Sequence, residues 1–268
     1  MHAQWPEWVS DWVSSVKNLI FPIFCKECGE RLFTEENGYF CAHCWESSPR
    51  IERPFCTCCG KPHPGLAGFG MPGNYPCAEC REKPNRHIRR IYGAARYEGA
   101  VEAAVKLLKF AGRERLAKPL GALMLDFAQR ELDMESYDLI VPVPLHKVRE
   151  RDRGFNQSRL LAREVLPAFP HARLDESLRR IRPTRTQSKL KGPERHANVR
   201  GAFAVFGDAV KGKTTLIIDD VVTTTGTVTA CAAALRRANA GPVDVLAVAL
   251  AVPDPDAPWH PGPPCRFS

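Results

Sequence analysis

Two aspartates stand side by side in the stretch TTLIIDDVVTTTGTV, Thr214 to Val228. An apolar, β-branched run leads into Asp219 and Asp220. Thr223, Thr224, Thr225, Gly226 and Thr227 follow, and then an alanine-rich helical pattern begins. A pair of carboxylates can accept two hydrogen bonds from the cis-diol of a ribose. A turn of hydroxyls and glycine that opens a helix offers backbone N–H groups to a phosphate. Diol-binding acids beside a phosphate-binding turn describe a site for a ribose 5-phosphate. The alternative is a pair of capping aspartates, although a cap needs one acid and not two at the end of an apolar strand.

The second chemical signal is sulfur. Of 11 cysteines, eight form four Cys-x-x-Cys pairs: Cys25/Cys28, Cys41/Cys44, Cys56/Cys59 and Cys77/Cys80. Two residues between thiolates allow a tight knuckle that aims both sulfurs at one ion, and two knuckles complete a tetrahedral Cys₄ zinc site. The spacing therefore predicts two structural zinc ions. Four sulfurs per ion leave no position for water, so no catalytic zinc is expected. Disulfides are the rival, but nothing in the sequence suggests export, and a reducing cytoplasm disfavours them. Gly29 and Gly60 follow the first and third knuckles, where a turn often requires positive φ. Cys58 is an extra thiol that could compete as a ligand, and Cys231 reads as a buried helix residue.

The 268 residues carry a formal net charge of +8, with 44% hydrophobic and 25% charged residues. This is globular composition, long enough for one large core and a smaller module. From Leu145 to Arg200 there are 15 Lys and Arg against 6 Asp and Glu, whereas from Met1 to Cys80 there are 6 against 9. The positive balance is thus concentrated in one middle segment, which would attract the phosphates of a nucleotide or of single-stranded DNA. No apolar run approaches the ~20 residues needed to span a bilayer, and no integral membrane segment is expected. The first residues lack a basic start, so no signal peptide is expected and the reading is cytoplasmic. Trp8, Trp12, Val16 and Leu19 fall near helical spacing and predict a short amphipathic helix.

The elements that must position these groups alternate. A strand is expected in IYGAARYEG, then helices in AVEAAVKLLKFAG and LAKPLGALMLDFAQREL. The first helix carries the apolar stripe Val101, Ala104, Val105 and Leu108. DLIVPVPLH reads as a strand ended by prolines, GFNQSRLLAREVL as a helix, and GAFAVF, TTLIIDDVV and VDVLAVALAV as strands. Continuous apolar strands alternating with helices indicate an α/β fold with a parallel sheet covered on both faces. Ligands of such sheets bind beyond the carboxyl ends of the strands, where the two aspartates stand. Four segments are expected: an N-terminal helix over 1–23, a double zinc ribbon over 24–85, an α/β domain over 86–253 and a proline-rich tail over 254–268.

The aspartate stretch resembles the phosphoribosyl diphosphate (PRPP) signature of type I phosphoribosyltransferases. With VPVPLHKVRERDRGFNQSRLLA, RPTRTQSKLKGPERHANVRGAF and the four cysteine pairs, the chain resembles the ComF family from about Phe24 to Val252. These are double zinc ribbon proteins with a phosphoribosyltransferase domain, linked to bacterial competence for DNA uptake. The resemblance implies that Asp219 and Asp220 hold the ribose hydroxyls and that Thr223 to Thr227 cradle the 5′-phosphate. The loop after Val143-Pro144 would face the diphosphate, with His146, Lys147, Arg149 and Arg153 as its contacts. Gln187, Arg195 and Asn198 would belong to a mobile loop, and magnesium would bind through diphosphate and ribose oxygens. One position departs from the family's Asp-Asp-x-x-Thr-Thr-Gly-x-Thr pattern, because Thr225 stands where glycine is usual. A β-branched residue there implies either a loop shifted by one residue or a tighter pocket. Three functions follow: a phosphoribosyltransferase, a single-stranded DNA-binding protein on the same fold, or a scaffold whose ribbons hold a competence-protein partner. Phe155 would stack on a base in the second, although a core contact fits it better.

Overall fold

The computed structural model describes residues 22–32, 38–63, 74–182 and 201–252. The expected N-terminal helix, the tail, and Gln187, Arg195 and Asn198 lie outside them.

Continuous apolar sequence produces the central sheet. β3 (Arg90–Arg96), β4 (Leu139–Pro142), β5 (Arg173–Leu174), β8 (Thr215–Val222) and β9 (Val243–Leu250) form a five-stranded sheet in the order β3-β9-β8-β4-β5, parallel throughout. All eight residues of β9 are buried, as are seven of the eight in β8. Strands covered on both faces have no solvent side, which is why they show no alternation.

The covering helices are α3 (Gly99–Ala111), α4 (Ala117–Glu131), α6 (Gln157–Val165) and α7 (Gly226–Arg237). α4 packs on α6, and together they cover β3, β4, β8 and β9. α7 joins β8 to β9 in the opposite lateral direction, so a right-handed crossover places it on the other face. The stripe expected in α3 is observed, with Val101, Ala104, Val105 and Leu108 buried. Gly112 closes that helix at φ 62°.

Two readings of local structure are corrected. GAFAVF was expected in the parallel sheet. Instead β7 (Phe203–Val205) pairs antiparallel with β6 (Leu178–Arg180) in a separate two-stranded ribbon. The segment before α6 also holds α5 (Lys147–Arg153), closed by Gly154 at φ 86°, where a loop was expected.

The cysteine region contains β1 (Ile23–Phe24), β2 (Arg31–Leu32), α1 (Ala42–Glu46) and α2 (Ala78–Glu82). It also covers the outer edge of β3. Ile91 donates its N–H to Cys58 O at 2.9 Å, Ile51 to Ala94 O at 3.1 Å, and Arg96 to Pro49 O at 2.8 Å. An unpaired edge strand invites pairing with other chains, and this cover removes the exposed groups. Gly60 permits it: a Cβ there would lie 2.5 Å from Ile91 O, and its φ of 72° suits glycine.

Candidate functional site

The two cysteine clusters assemble as the spacing requires. Cys25, Cys28, Cys41 and Cys44 form one group and Cys56, Cys59, Cys77 and Cys80 the other, with the sulfurs of each within 4.8 Å of one another. Four sulfurs at about 2.3 Å from one zinc stand about 3.8 Å apart. The observed separations are 3.8 Å for Cys28–Cys41 and 3.9 Å for Cys59–Cys77. Backbone N–H groups of Cys58, Cys59 and Cys77 point at Cys56 Sγ at 3.2–3.4 Å, the arrangement a thiolate needs. The donor sets therefore fit two structural zinc ions, with no open coordination position. Cys58 is not in either group, so it is no competing ligand. Cys231 is fully buried in α7, as expected.

At the carboxyl end of β8, Asp219 and Asp220 border a cleft of about 450 Å³. They are 7% and 2% exposed. Asp219 Oδ1 accepts from Ser158 Oγ at 3.1 Å and from the Asp220 N–H at 2.9 Å. Ser158, fully buried in α6, thereby fixes its rotamer. Asp220 Oδ1 accepts from the Val221 N–H at 2.6 Å and from Lys109 Nζ at 2.7 Å. Asp220 Oδ2 is buried with no hydrogen-bond partner.

That orphaned oxygen separates this site from ordinary core chemistry. Asp244 is also fully buried, but Arg89 grips both its oxygens at 3.0 and 2.6 Å and Tyr137 donates to Oδ2 at 2.7 Å. A buried acceptor left unpaired costs about 1–3 kcal/mol. Such a cost persists where a ligand supplies the missing donor. Nor do the two acids occupy the helix cap, since the N-cap of α7 is Thr225, whose side chain makes no capping hydrogen bond.

Burial, and then the neighbouring Asp220, push the Asp219 carboxyl up to about 7, against the pull of Lys109. Burial opposes the charge on Lys109, but Asp220 outweighs it and holds the ammonium above its ordinary range. Burial, and then Arg149, lower the Arg153 guanidinium. Arg149, Arg153 and Arg180 face the same cleft as the acids, so anionic and cationic halves meet across it.

Of the residues expected in the site, Asp219, Asp220, Thr223, Thr224, Thr227, Arg149 and Arg153 line this cleft. Thr225 and Gly226 stand behind them as the N-cap and first residue of α7. Thr225 has φ −66° and ψ 0°, ordinary right-handed backbone. Its β-branched side chain therefore fits without strain, and the glycine it replaces is not required for its φ. His146 is not among the lining residues; its ring caps α5 by accepting from the Val148 N–H at 3.4 Å. Lys147 is exposed and borders a neighbouring cavity of about 260 Å³ with Glu150 and Arg159. Phe155 is 9% exposed and belongs to the core, so it offers no face to a base.

Sequence reasoning missed Lys109, Phe110, Tyr97, Gln157 and Arg180 on the cleft wall, and Ser158 behind it. Lys109 and Phe110 lie in the last turn of a helix whose apolar stripe was legible, but no spacing marks its polar end as facing the sheet. Among the described residues, no helix is long and apolar enough to cross a membrane.

The double zinc ribbon domain family matches residues 16–81. DNA utilization protein YhgH of Escherichia coli O6:H1 is 34% identical over 231 residues, covering 85% of this chain and 96% of that protein. Competence protein F of Haemophilus influenzae is 25% identical over 237 residues, covering 86% and 98%. Competence protein ComFC of Bacillus subtilis is 28% identical over 194 residues, covering 70% and 73%. The cysteine ribbons and these relatives agree: the chain belongs to the ComF family of double zinc ribbon proteins, alongside YhgH and the competence proteins F and ComFC.

Proposed function

We propose that the cleft binds a ribose 5-phosphate unit, carried by PRPP with magnesium or by a related ribose phosphate, in a protein serving DNA uptake. The observation that carries this reading is Asp220 Oδ2, a buried carboxylate oxygen without a donor, beside a second carboxylate at a strand's carboxyl end. A ribose cis-diol supplies O–H donors, the groups a carboxylate oxygen without a partner lacks. Thr223, Thr224, Thr227 and the start of α7, where the N-cap Thr225 makes no side-chain capping bond, suit the 5′-phosphate. Arg149 and Arg153 suit a diphosphate on the anomeric carbon. Magnesium, when bound, would neutralise diphosphate charge; the acids fit it indirectly, through hydroxyls or water, because Lys109 already pairs with Asp220.

Transfer of the phosphoribosyl group would break the bond from the anomeric carbon to the diphosphate oxygen and form one to an acceptor, with inversion. Positioning and charge stabilisation are what this cleft offers. Among the described residues, no imidazole lines it, and no carboxylate other than Asp219 and Asp220. An acceptor that arrives deprotonated needs no general base. The competence and DNA-utilization names of the relatives support the biological setting. Single-stranded DNA and a competence-protein partner belong to that setting as well.

Calorimetric titration tests the reading. PRPP with magnesium should give saturable binding near one site per chain, undiminished by a short single-stranded DNA at the same ionic strength. Binding of the DNA alone, with no heat from PRPP at millimolar concentration, would replace the ribose phosphate reading with the nucleic-acid one.

A further inference from the structure

Two carboxylates side by side at a strand end are a natural seat for a hard divalent cation, because magnesium and manganese take oxygen ligands. In this cleft a side chain has taken that seat. Lys109 Nζ lies 2.7 Å from Asp220 Oδ1. Asp220 is buried and the Lys109 side chain is largely withdrawn from solvent. Burial opposes the ammonium charge, but Asp220, with a smaller pull from Asp219, outweighs it. The reach of Lys109 is set by its helix. Val101, Val105 and Leu108 anchor α3 through its buried stripe, and Gly112 closes the helix just beyond the lysine. A cation in the last turn also suits the negative end of the helix dipole.

Other acids paired with cations differ. Arg89 grips both oxygens of Asp244. Lys213 donates to Asp138 Oδ1 at 2.9 Å, and the Thr214 N–H donates to Oδ2 at 2.8 Å. In both, the two carboxylate oxygens are satisfied. Lys109 instead leaves Asp220 Oδ2 without a donor, and among the described residues no other buried carboxylate oxygen is in that state. Oδ1 is closed, because Lys109 and the Val221 N–H both donate to it. A metal ion ligated by Oδ2 would stand within a carboxylate's width of the ammonium, where like charges repel. A neutral hydroxyl meets no such repulsion and donates the hydrogen bond that Oδ2 lacks.

We propose that Lys109 is the resident counter-cation of the aspartate pair: it bars a divalent ion from direct ligation by Asp220 and lets the site hold a ribose phosphate without one. This rests on the ribose phosphate reading above and assigns the charge balance of that site. Magnesium is then required only by a diphosphate, which brings its own ligand oxygens. Lys109 is a positioning residue, acting on the sugar through Asp220.

Two titrations test it, in buffer without chelator so that the ribbons keep their zinc. In the first, calorimetry measures ribose 5-phosphate binding to the parent protein with and without magnesium. The two affinities should agree within about two-fold. A gain of about ten-fold or more from magnesium overturns the proposal. In the second, the electron paramagnetic resonance signal of free Mn²⁺ is followed as protein is added. Lys109→Met should bind about one Mn²⁺ per chain, roughly ten-fold or more tightly than the parent. Adding Asp220→Asn to Lys109→Met should abolish that binding, and Lys109→Arg, which keeps a cation, should behave as the parent. Mn²⁺ binding by the parent as tight as by Lys109→Met, and lost in Asp220→Asn, overturns the proposal as well. The first titration needs no variant, so it decides the matter even if Lys109→Met does not fold. If ribose 5-phosphate binds neither with nor without magnesium, the ribose phosphate reading fails, a result distinct from magnesium-dependent binding, and the proposal falls with it.

Discussion

The ammonium of Lys109 sits 2.7 Å from Oδ1 of Asp220, while Oδ2 of the same carboxylate has no partner. One oxygen of the acid is thereby engaged and oriented, and the other is left for a ligand. Lys109 comes from the last turn of α3, far in sequence from the signature it completes. Its side chain is 20% exposed, so the pair is partly desolvated. Removing one member of such a pair strands the other. Lys109→Met should cost about 3 kcal/mol of stability in urea unfolding. Adding Asp220→Asn to the same chain should recover most of that loss, because no unpaired charge remains. A cost under about 0.5 kcal/mol would show the pair to be a surface contact.

Asp219 gives the site a pH signature. Burial and Asp220 raise its carboxyl to about 7 in the folded chain, against about 4 when unfolded. Between those values the folded state binds more protons, so stability falls as pH rises. Its contribution is fully present below pH 4 and lost as pH rises through 7. Asp219→Asn should therefore flatten the stability profile between pH 4 and 7 and leave the variant at least as stable as the parent at pH 8. An unchanged slope in denaturant midpoints across that window would mean that Asp219 titrates as an ordinary carboxylate.

The ribbons are tied to the sheet edge, which makes zinc a condition for part of the α/β fold. Metal analysis should find about two zinc ions per chain. Cys28→Ser and Cys80→Ser should each lose one, since a three-thiolate site is weaker. Chelation should accelerate hydrogen exchange at the amides of Ile51, Ile91 and Arg96, whose bonds cross between ribbon and β3. Exchange at β8 amides should change much less. Paired disulfides in place of metal, or no change in exchange at those three amides, would contradict the coupling.

Both signals that opened the reading are local, and both were legible in the sequence. The cysteine pairs encode their own geometry, because two residues between thiolates fix a knuckle. The apolar run before Asp219 encodes a strand buried on both faces. What was not legible depends on distant contacts. Lys109 and Phe110 enter the cleft only because α3 ends over the carboxyl edge of β8, a matter of packing that no periodicity records. GAFAVF has strand composition, yet β7 pairs with β6 outside the main sheet, because composition does not name a partner strand. His146 was grouped with the arginines by proximity in the sequence, but its ring is used as a helix cap. Thr225 looked like a constraint on the phosphate turn; its right-handed backbone shows that the turn does not need glycine's freedom there.

The claim on which the account turns is that Asp219 and Asp220 hold the cis-diol of a ribose. It is tested most directly by the ratio of affinities for ribose 5-phosphate and 2-deoxyribose 5-phosphate, measured on the parent protein and on Asp220→Asn. A charge-assisted hydrogen bond is worth roughly 1.5–3 kcal/mol, or about ten- to hundredfold in binding. The parent should favour ribose 5-phosphate by at least about ten-fold, and Asp220→Asn, still folded, should bring the ratio close to one. Equal affinity of the parent for the two sugars, or no binding of either at millimolar concentration, would contradict the account.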